Sequence, residues 1–172
     1  MKTKTVEMIV GLKVPDATAM TALQTLQKIG FNKIRDVKRA DYYKFLIEGD
    51  ADKFKNKISK VDILVNANKH FFAFKIKKNA SPEMSEREPH YHSLLHFTAC
   101  IFFVIVKNIN DDGSSILSTL KNRLGFKHIK NVEKSTLWSL DINANESEGK
   151  KIADKAAKDL LVNENYQEYE IL

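Results

Sequence analysis

The sequence has one cysteine, Cys100, in 172 residues. A single thiol cannot close an intrachain disulfide or build a cysteine metal cluster. Cys100 also lies inside an apolar run, where a thiol is typical of core packing rather than of a nucleophile. Disulfide scaffolds and zinc-ribbon-like folds are therefore excluded.

Glycine and proline are scarce, with six and three residues. Phosphate-binding loops of the GxxxxGK[ST] or GxGxxG type need clustered glycines, because the backbone must approach the phosphates closely. Neither pattern occurs in the sequence. We therefore predict no nucleotide-binding or cofactor-binding loop of these types.

Long hydrophobic runs are also missing. The most apolar stretch, residues 94–106, includes His96 and Thr98 and is shorter than the roughly 20 residues that a membrane helix needs. It is typical of a buried strand. The first residues lack the continuous apolar core of a secretion signal, so we expect a cytoplasmic protein without a membrane partner.

The net charge of +6 is unevenly distributed. Residues 1–76 carry 15 Lys and Arg against 8 Asp and Glu, whereas residues 94–172 carry 10 against 11. Aromatic residues accompany the basic half, which invites an RNA-binding interpretation; these residues are Tyr42, Tyr43, Phe71, Phe72 and Phe74. The glycine-flanked aromatic signature of such sheets is absent, so the pattern favours a solvated face or an acidic protein partner, not nucleic acid.

What the sequence does contain is a repeat. "GFNKIRDV" at residues 30–37 returns as "GFKHIKNV" at residues 125–132, and "DILVNAN" at 62–68 returns as "DLLVNEN" at 159–165. The offset between the copies drifts only from 94 to 97 residues along the chain. Diverged copies of one unit, separated by single small insertions, produce this pattern.

Each copy predicts the same order of elements, β-α-β-β-α-β. The first copy has strands at 6–13, 33–38, 42–48 and 71–76 and a second helix at 53–65; the second copy has strands at 99–107, 128–133, 137–143 and 166–172 and a second helix at 148–162. Gly30 and Gly125 are predicted to end the first helices, because glycine enters the left-handed conformation at little cost. Asn66 and Asn163 are predicted to end the second helices in the same conformation.

This order is the split βαβ, or ferredoxin-like, arrangement, in which helices cover one face of an antiparallel sheet. We predict an α+β chain of two such repeats, residues 1–76 and 94–172, joined by a linker at 77–93. Because two units of this size would each bury a thin core, we expect them to pack together as an intramolecular pseudo-dimer.

Two groups of residues suggest metal chemistry, and each has a structural alternative. His90, His92 and His96 have a spacing that metal ligands use on a helix, but they run from the linker into a strand. Asp111 and Asp112 precede Gly113 as in a cation loop, but a helix N-cap explains them equally. The sequence predicts no catalytic, cofactor-binding or metal-binding residue.

The two copies resemble a known family. The helix ending "LQKIGF", the stretch "NKIRDVKRADYYKFLIE" and the closing "DILVNAN" look like the small PurS-type subunit of phosphoribosylformylglycinamidine synthase. "TLKNRLGFKHIKNVEKSTLWSLDIN" and "KDLLVNENYQEYEIL" look like it again. Where many members carry a glycine-lysine pair between the central strands, this sequence has Ala40-Asp41 and Ser135-Thr136.

The resemblance implies a tandem fusion with no active site of its own. It implies an accessory role in an ATP-dependent C–N ligase of purine biosynthesis, joining a glutaminase subunit to an ATP-dependent synthase subunit so that ammonia passes between them. A homodimer of the chain is a further expected partner. The alternative is an ACT-like module that senses a small molecule, since tandem units of this topology also occur in that class.

Overall fold

The computed structural model describes residues 2–75, 100–111 and 113–172. Local sequence patterns account for most of the elements: helices and strands form where apolar residues recur periodically, and short polar turns connect them. In chain order they are β1 Thr3–Leu12, α1 Ala17–Lys28, β2 Ile34–Glu48, α2 Ala51–Ile58, β3 His70–Ala73, β4 Cys100–Asn108, α3 Ser114–Asn122, β5 Ile129–Ile142, α4 Glu146–Ala156, a π-helical turn Ala157–Leu161, and β6 Gln167–Ile171.

The strands form one six-stranded sheet in the order β3-β1-β2-β5-β4-β6, and all neighbouring strands are antiparallel. The two longest strands, β2 and β5, lie side by side at its centre. The other strands follow in the same order outwards on both sides: β1 then β3 beside β2, and β4 then β6 beside β5. The predicted α+β class with an antiparallel sheet is confirmed.

The predicted pair of short strands in the middle of each copy is wrong. Residues 33–38 and 42–48 belong to one 15-residue strand, β2, and residues 128–133 and 137–143 belong to a 14-residue strand, β5, except for their outermost positions. The centres of these strands, Ala40-Asp41 and Ser135-Thr136, contain neither glycine nor proline. Without a turn residue, and with pairing partners on the neighbouring strand, the chain continues in the extended conformation.

The second helix of the first copy is shorter than predicted, whereas helical structure in the second copy spans nearly the predicted residues. α2 ends at Ile58, and residues 59–65 form turns instead; α4 ends at Ala156 and continues as the π-helical turn. Asn66 and Asn163 do not adopt the left-handed conformation, since Lys75 is the one non-glycine residue with positive φ in the described part. Each asparagine instead accepts a hydrogen bond from the backbone N–H two residues later, at Asn68 and Asn165.

The predicted helix-ending glycines are confirmed. Gly30 directly follows the last turn of α1 with φ +106°, and Gly125 follows α3 with φ +74°. At the other end, Asp16 caps α1 by accepting the N–H groups of Thr18 and Ala19. These caps stop and start the helices close to the strands, so both helices pack back onto the sheet.

Two apolar clusters fill the space between the helices and the sheet. The α1–α4 cluster contains Leu26, Phe102 and Leu140, and the α2–α3 cluster contains Phe45 and Leu120. Val37 belongs to the first cluster and Phe45 to the second. Both are odd-numbered residues of β2, so both clusters lie on the same face of the sheet, under all four helices. Each cluster combines residues from before and after residues 76–99.

A third, smaller cluster lies on the opposite face of the sheet, where even-numbered residues of β2 project. It consists of Ile9, Tyr42, Phe103 and Leu137, each at most 6% exposed. Within the described residues, no helix is long and apolar enough to cross a membrane.

Candidate functional site

The centre of the molecule is the antiparallel pairing of β2 with β5. Ala40 pairs with Leu137, Asp41 with Thr136 and Tyr42 with Ser135. The two central pairs, Ala40-Asp41 and Ser135-Thr136, therefore lie next to each other across the strands. Because β2 and β5 pair without interruption through these residues, this junction is continuous sheet and presents no loop to a partner.

The helix-covered face of this junction carries a polar cluster. The ammonium group of Lys134 lies 3.8 Å from the carboxylate of Asp41 and 5.9 Å from the ring centre of Tyr43. The hydroxyl of Tyr43 donates to Asp41 at 3.4 Å. Burial, followed by the negative charge and hydrogen bond of Asp41, raises the pKa of Tyr43. A neutral, hydrogen-bonded tyrosine here stabilises the junction and offers no reactive group.

A second ion pair connects α1 to β2. Arg39 Nε donates to Asp16 Oδ2 at 2.9 Å, while the other oxygen of Asp16 caps the helix. Burial acts to raise the pKa of Asp16, but the hydrogen bond from Arg39 and those from the backbone N–H groups of Ala19 and Thr18 outweigh it and hold that pKa below its ordinary value. The carboxylate is thus ionised and occupied, which fits a structural role.

The aromatic residues that suggested RNA binding pack against the protein itself. Phe72 and Phe74, whose ring centres lie 5.8 Å apart, contact the α2–α3 cluster. Tyr42 and Tyr43 are 6% and 3% exposed and point to opposite faces of the sheet. Burial, followed by the negative charge of Glu7, raises the pKa of Tyr42. Phe71 lies against Gly11, where an added Cβ would come within 2.3 Å of the ring. Their positions are those of packing residues.

A concave surface lies between α2 and the connection from α3 to β5. One part is an open groove of about 810 Å³ lined by Lys53, Lys57, Lys60, Ile63 and Leu124, among others. It adjoins a more enclosed cavity of about 330 Å³ whose apolar lining includes Phe54, Phe126 and Ile129. The two share Lys53, Lys57 and Phe126. We call this combined surface the α2 cleft.

Those candidate residues from the sequence that the structure describes, Cys100 and Asp111, have packing or hydrogen-bonding roles within the fold. Cys100 begins β4 and packs against the α1–α4 cluster as a free thiol, as predicted for a core residue. Asp111 Oδ1 accepts the N–H of Gly113, which itself is the N-cap of α3 with φ +69°. Asp112, His90, His92 and His96 lie outside the described residues.

Among the described residues, no three His, Cys, Asp or Glu side chains come together as metal ligands would. The α2 cleft is the feature that sequence reasoning missed. A signal for it was present in "DKFKNKISK", where lysines at 53, 57 and 60 recur at helical spacing. The apolar wall, however, comes from residues 124–129, some 65 residues further along the chain, and only the folded structure brings it to α2.

Comparisons with known proteins point to one family. The family model PurS: Phosphoribosylformylglycinamidine (FGAM) synthase matches residues 103–172. The match runs from within β4 to the C-terminus and thus covers nearly all of the second predicted repeat. The PurS-type resemblance drawn from the sequence is confirmed for this stretch. No curated protein matched the chain.

Proposed function

We propose that the chain is a tandem fusion of two PurS-type units that serves as a non-catalytic, bridging subunit of phosphoribosylformylglycinamidine synthase in purine biosynthesis. The observation that carries the proposal is the family match at residues 103–172, combined with the same order of elements in residues 3–73. The family match covers residues 103–172, so the assignment of the first half depends on its relation to the second half.

The register of the central strands supports a duplication. Asp41 pairs with Thr136, and these two residues are also separated by the repeat offset of 95. Two equivalent positions pair with each other only where a two-fold axis passes between them. The β2–β5 pairing is therefore the arrangement expected if two copies of one unit associate as a symmetric pair within one chain.

Hydrogen bonds that recur at the repeat offset support it further. The N–H of Glu48 donates to the carbonyl of His128, and at the equivalent place the N–H of Asn143 donates to the carbonyl of Lys33. The turn at Asn66 and the turn at Asn163 also share one pattern, in which the asparagine carbonyl accepts two N–H groups, three and four residues later. Unrelated segments would not be expected to reproduce such details.

A bridging role without chemistry fits the described residues. The ionisable side chains at the centre are held in ion pairs or hydrogen bonds, as Asp16, Asp41 and Tyr43 illustrate. In the reaction the family name implies, ammonia released from glutamine by a glutaminase subunit is consumed by an ATP-dependent synthase subunit. A subunit that only holds the two together needs surfaces rather than reactive groups.

Reconstitution of the complex tests the proposal. The full chain, added to purified glutaminase and ATP-dependent synthase subunits with glutamine and nucleotide, is expected to elute with both on size exclusion. Omitting the chain should abolish glutamine-dependent product formation while leaving activity with free ammonium salts. If the two enzymes couple equally well without the chain, or neither binds it, the proposal is wrong.

A further inference from the structure

The α2 cleft has a combination of features that the proposed function does not account for. Its groove exposes large apolar side chains, with Ile63 at 57% and Leu124 at 44% exposure. Exposed apolar residues grouped in a concave surface and bordered by charge are typical of a site that another molecule covers. The enclosed end, between Phe54 and Phe126, is large enough for one bulky side chain.

The aromatic rings at that end are fixed in place. Phe54 and Phe126 meet edge to face with their centres 6.0 Å apart, and Phe54 continues to Phe45 in the core at 5.3 Å. Rings held by the core cannot collapse into the cavity to fill it. A preformed apolar cavity of this kind accepts an apolar anchor with little cost in conformational entropy.

The border of the cleft is basic. Lys53, Lys57 and Lys60 are exposed, and no described carboxylate lies within ion-pair distance of them. Three acidic residues also line the cleft, but two are engaged: Glu48 pairs with Lys130 at 3.1 Å and Asp50 accepts the backbone N–H groups at the start of α2. Asp62 remains at the far end of the groove. The side chains of the cleft that form no described ion pair or cap therefore carry a net positive charge.

The same position in the second half is different. At the repeat offset of 95, Lys53 corresponds to Glu148, and His128 to Lys33. There Lys33 and Glu148 form an ion pair that joins the two halves, and Lys155 lies 5.9 Å from the ring centre of Phe31, the counterpart of Phe126. The second site therefore pairs its own charges, whereas the α2 cleft has Lys53 and His128 at the matching positions and no carboxylate there.

We propose that the α2 cleft binds an acidic segment of a partner protein, with carboxylates facing Lys53, Lys57 and Lys60 and one large apolar side chain in the cavity beside Phe126. Charge complementarity selects the segment and the apolar anchor holds it. That the partner is a synthase subunit rests on the proposed function; the chemistry of the segment rests on the cleft alone.

A synthetic peptide tests this chemistry on the full chain without any synthase subunit. The probe is the capped peptide Asp-Glu-Glu-Phe-Leu-Glu-Asp, titrated into the isotope-labelled chain and followed by amide chemical shifts. Saturable shifts are expected for residues 48–63 and 124–130, with affinity falling as salt is added. Replacing the peptide phenylalanine by alanine should weaken binding about tenfold, because the anchor is lost.

Matched variants separate the cleft from general basicity. The double variant K57E/K60E should bind the probe at least tenfold more weakly, and K57R/K60R should bind it as the unaltered chain does. K150E/K151E makes the same change in charge on exposed lysines of α4 and should have no effect. The amide spectrum of each variant reports whether it is folded.

Absence of saturable binding, shifts centred elsewhere, or equal binding by K57E/K60E would overturn the inference. So would inorganic pyrophosphate producing the same shifts and displacing the peptide, since the cleft would then be a small-anion site. If the peptide fails to bind while the chain still assembles with both enzymes, the inference falls and the proposed function stands. If the peptide binds but the chain does not assemble with the two enzymes, the inference about the cleft stands and the proposed function falls.

Discussion

At the scale of single residues, the two halves solve one packing problem in opposite ways. Val6 pairs with Phe45 and Phe102 with Leu140, so Val6 and Phe102 occupy matching positions. The helix residues above them also match at the offset of 95: Phe54 in α2 and Gly149 in α4. The first half thus combines a small strand residue with a large helix residue, and the second half reverses the sizes. Total volume is kept, which is what a packed core tolerates.

This exchange predicts a specific suppressor. A Cβ at position 149 would lie 2.4 Å from the ring of Phe102, so Gly149→Ala should lower the free energy of unfolding by about 1–3 kcal/mol through overpacking. Adding Phe102→Val to the same chain should recover part of that loss. Ser147→Ala, at an exposed site in the same helix, is the control. Urea denaturation of these three variants and of the unaltered chain measures the free energy of unfolding. No recovery in the double variant would contradict the packing explanation.

The Asp16–Arg39 pair predicts a dependence of stability on pH. The pKa of Asp16 is lowered in the folded chain, so its contribution is present above the ordinary carboxyl pKa of about 4 and is lost as the pH falls through the lower folded value. Asp16→Asn keeps the helix cap but removes the charge. The variant should therefore be less stable than the unaltered chain at pH 7, with the difference shrinking towards pH 2.

Thermal unfolding from pH 7 to pH 2 provides the measurement. Glu164→Gln, a change of the same kind at an exposed turn residue, should leave the pH profile unchanged. A constant difference between Asp16→Asn and the unaltered chain across the whole range would show that the pair does not act through ionisation.

At the scale of elements, the sequence predicts type and order well where periodicity and punctuation agree. The apolar alternation of "VEMIVGLK" and the glycines at 30 and 125 lead to the correct strand and helix ends. Prediction fails where pairing with a strand distant in sequence determines the backbone conformation. The sequence pattern places a break between two strands at residues 39–41, but β5 supplies hydrogen-bond partners along β2 and keeps it extended. The sequence does not predict the α2 cleft for a related reason, because its two walls are distant in sequence.

The helix-to-sheet contacts predict a contrast between two leucines near each other in sequence. Leu120 in α3 is fully buried in the α2–α3 cluster, whereas Leu124, just past the helix, is 44% exposed. Leu120→Ala should cost about 2–5 kcal/mol of unfolding free energy, through lost burial and the cavity left behind. Leu124→Ala should cost well under half as much. Chemical denaturation at neutral pH compares them, and equal losses would mean that α3 is not packed as described.

At the scale of the whole molecule, both main clusters draw on both halves. Ile34 and Val37 from the first half join Phe102 and Leu140 in the α1–α4 cluster, and Leu120 from the second half joins the α2–α3 cluster. The longest strand pairing among the described residues is also β2–β5, which joins the halves. Neither half therefore encloses a complete core, and linking them makes their association intramolecular.

Cutting the chain should consequently leave a complex rather than two domains. A protease site introduced within residues 77–93 and cleaved after folding is expected to give fragments that still elute together at the size of the intact chain. Their unfolding midpoint should then rise with protein concentration, because unfolding has become a dissociation, whereas that of the uncut chain should not. A variant carrying the site but left uncleaved controls for the insertion. Fragments that separate as folded monomers would show that each half completes its own core, against the sharing of both clusters across the β2–β5 junction.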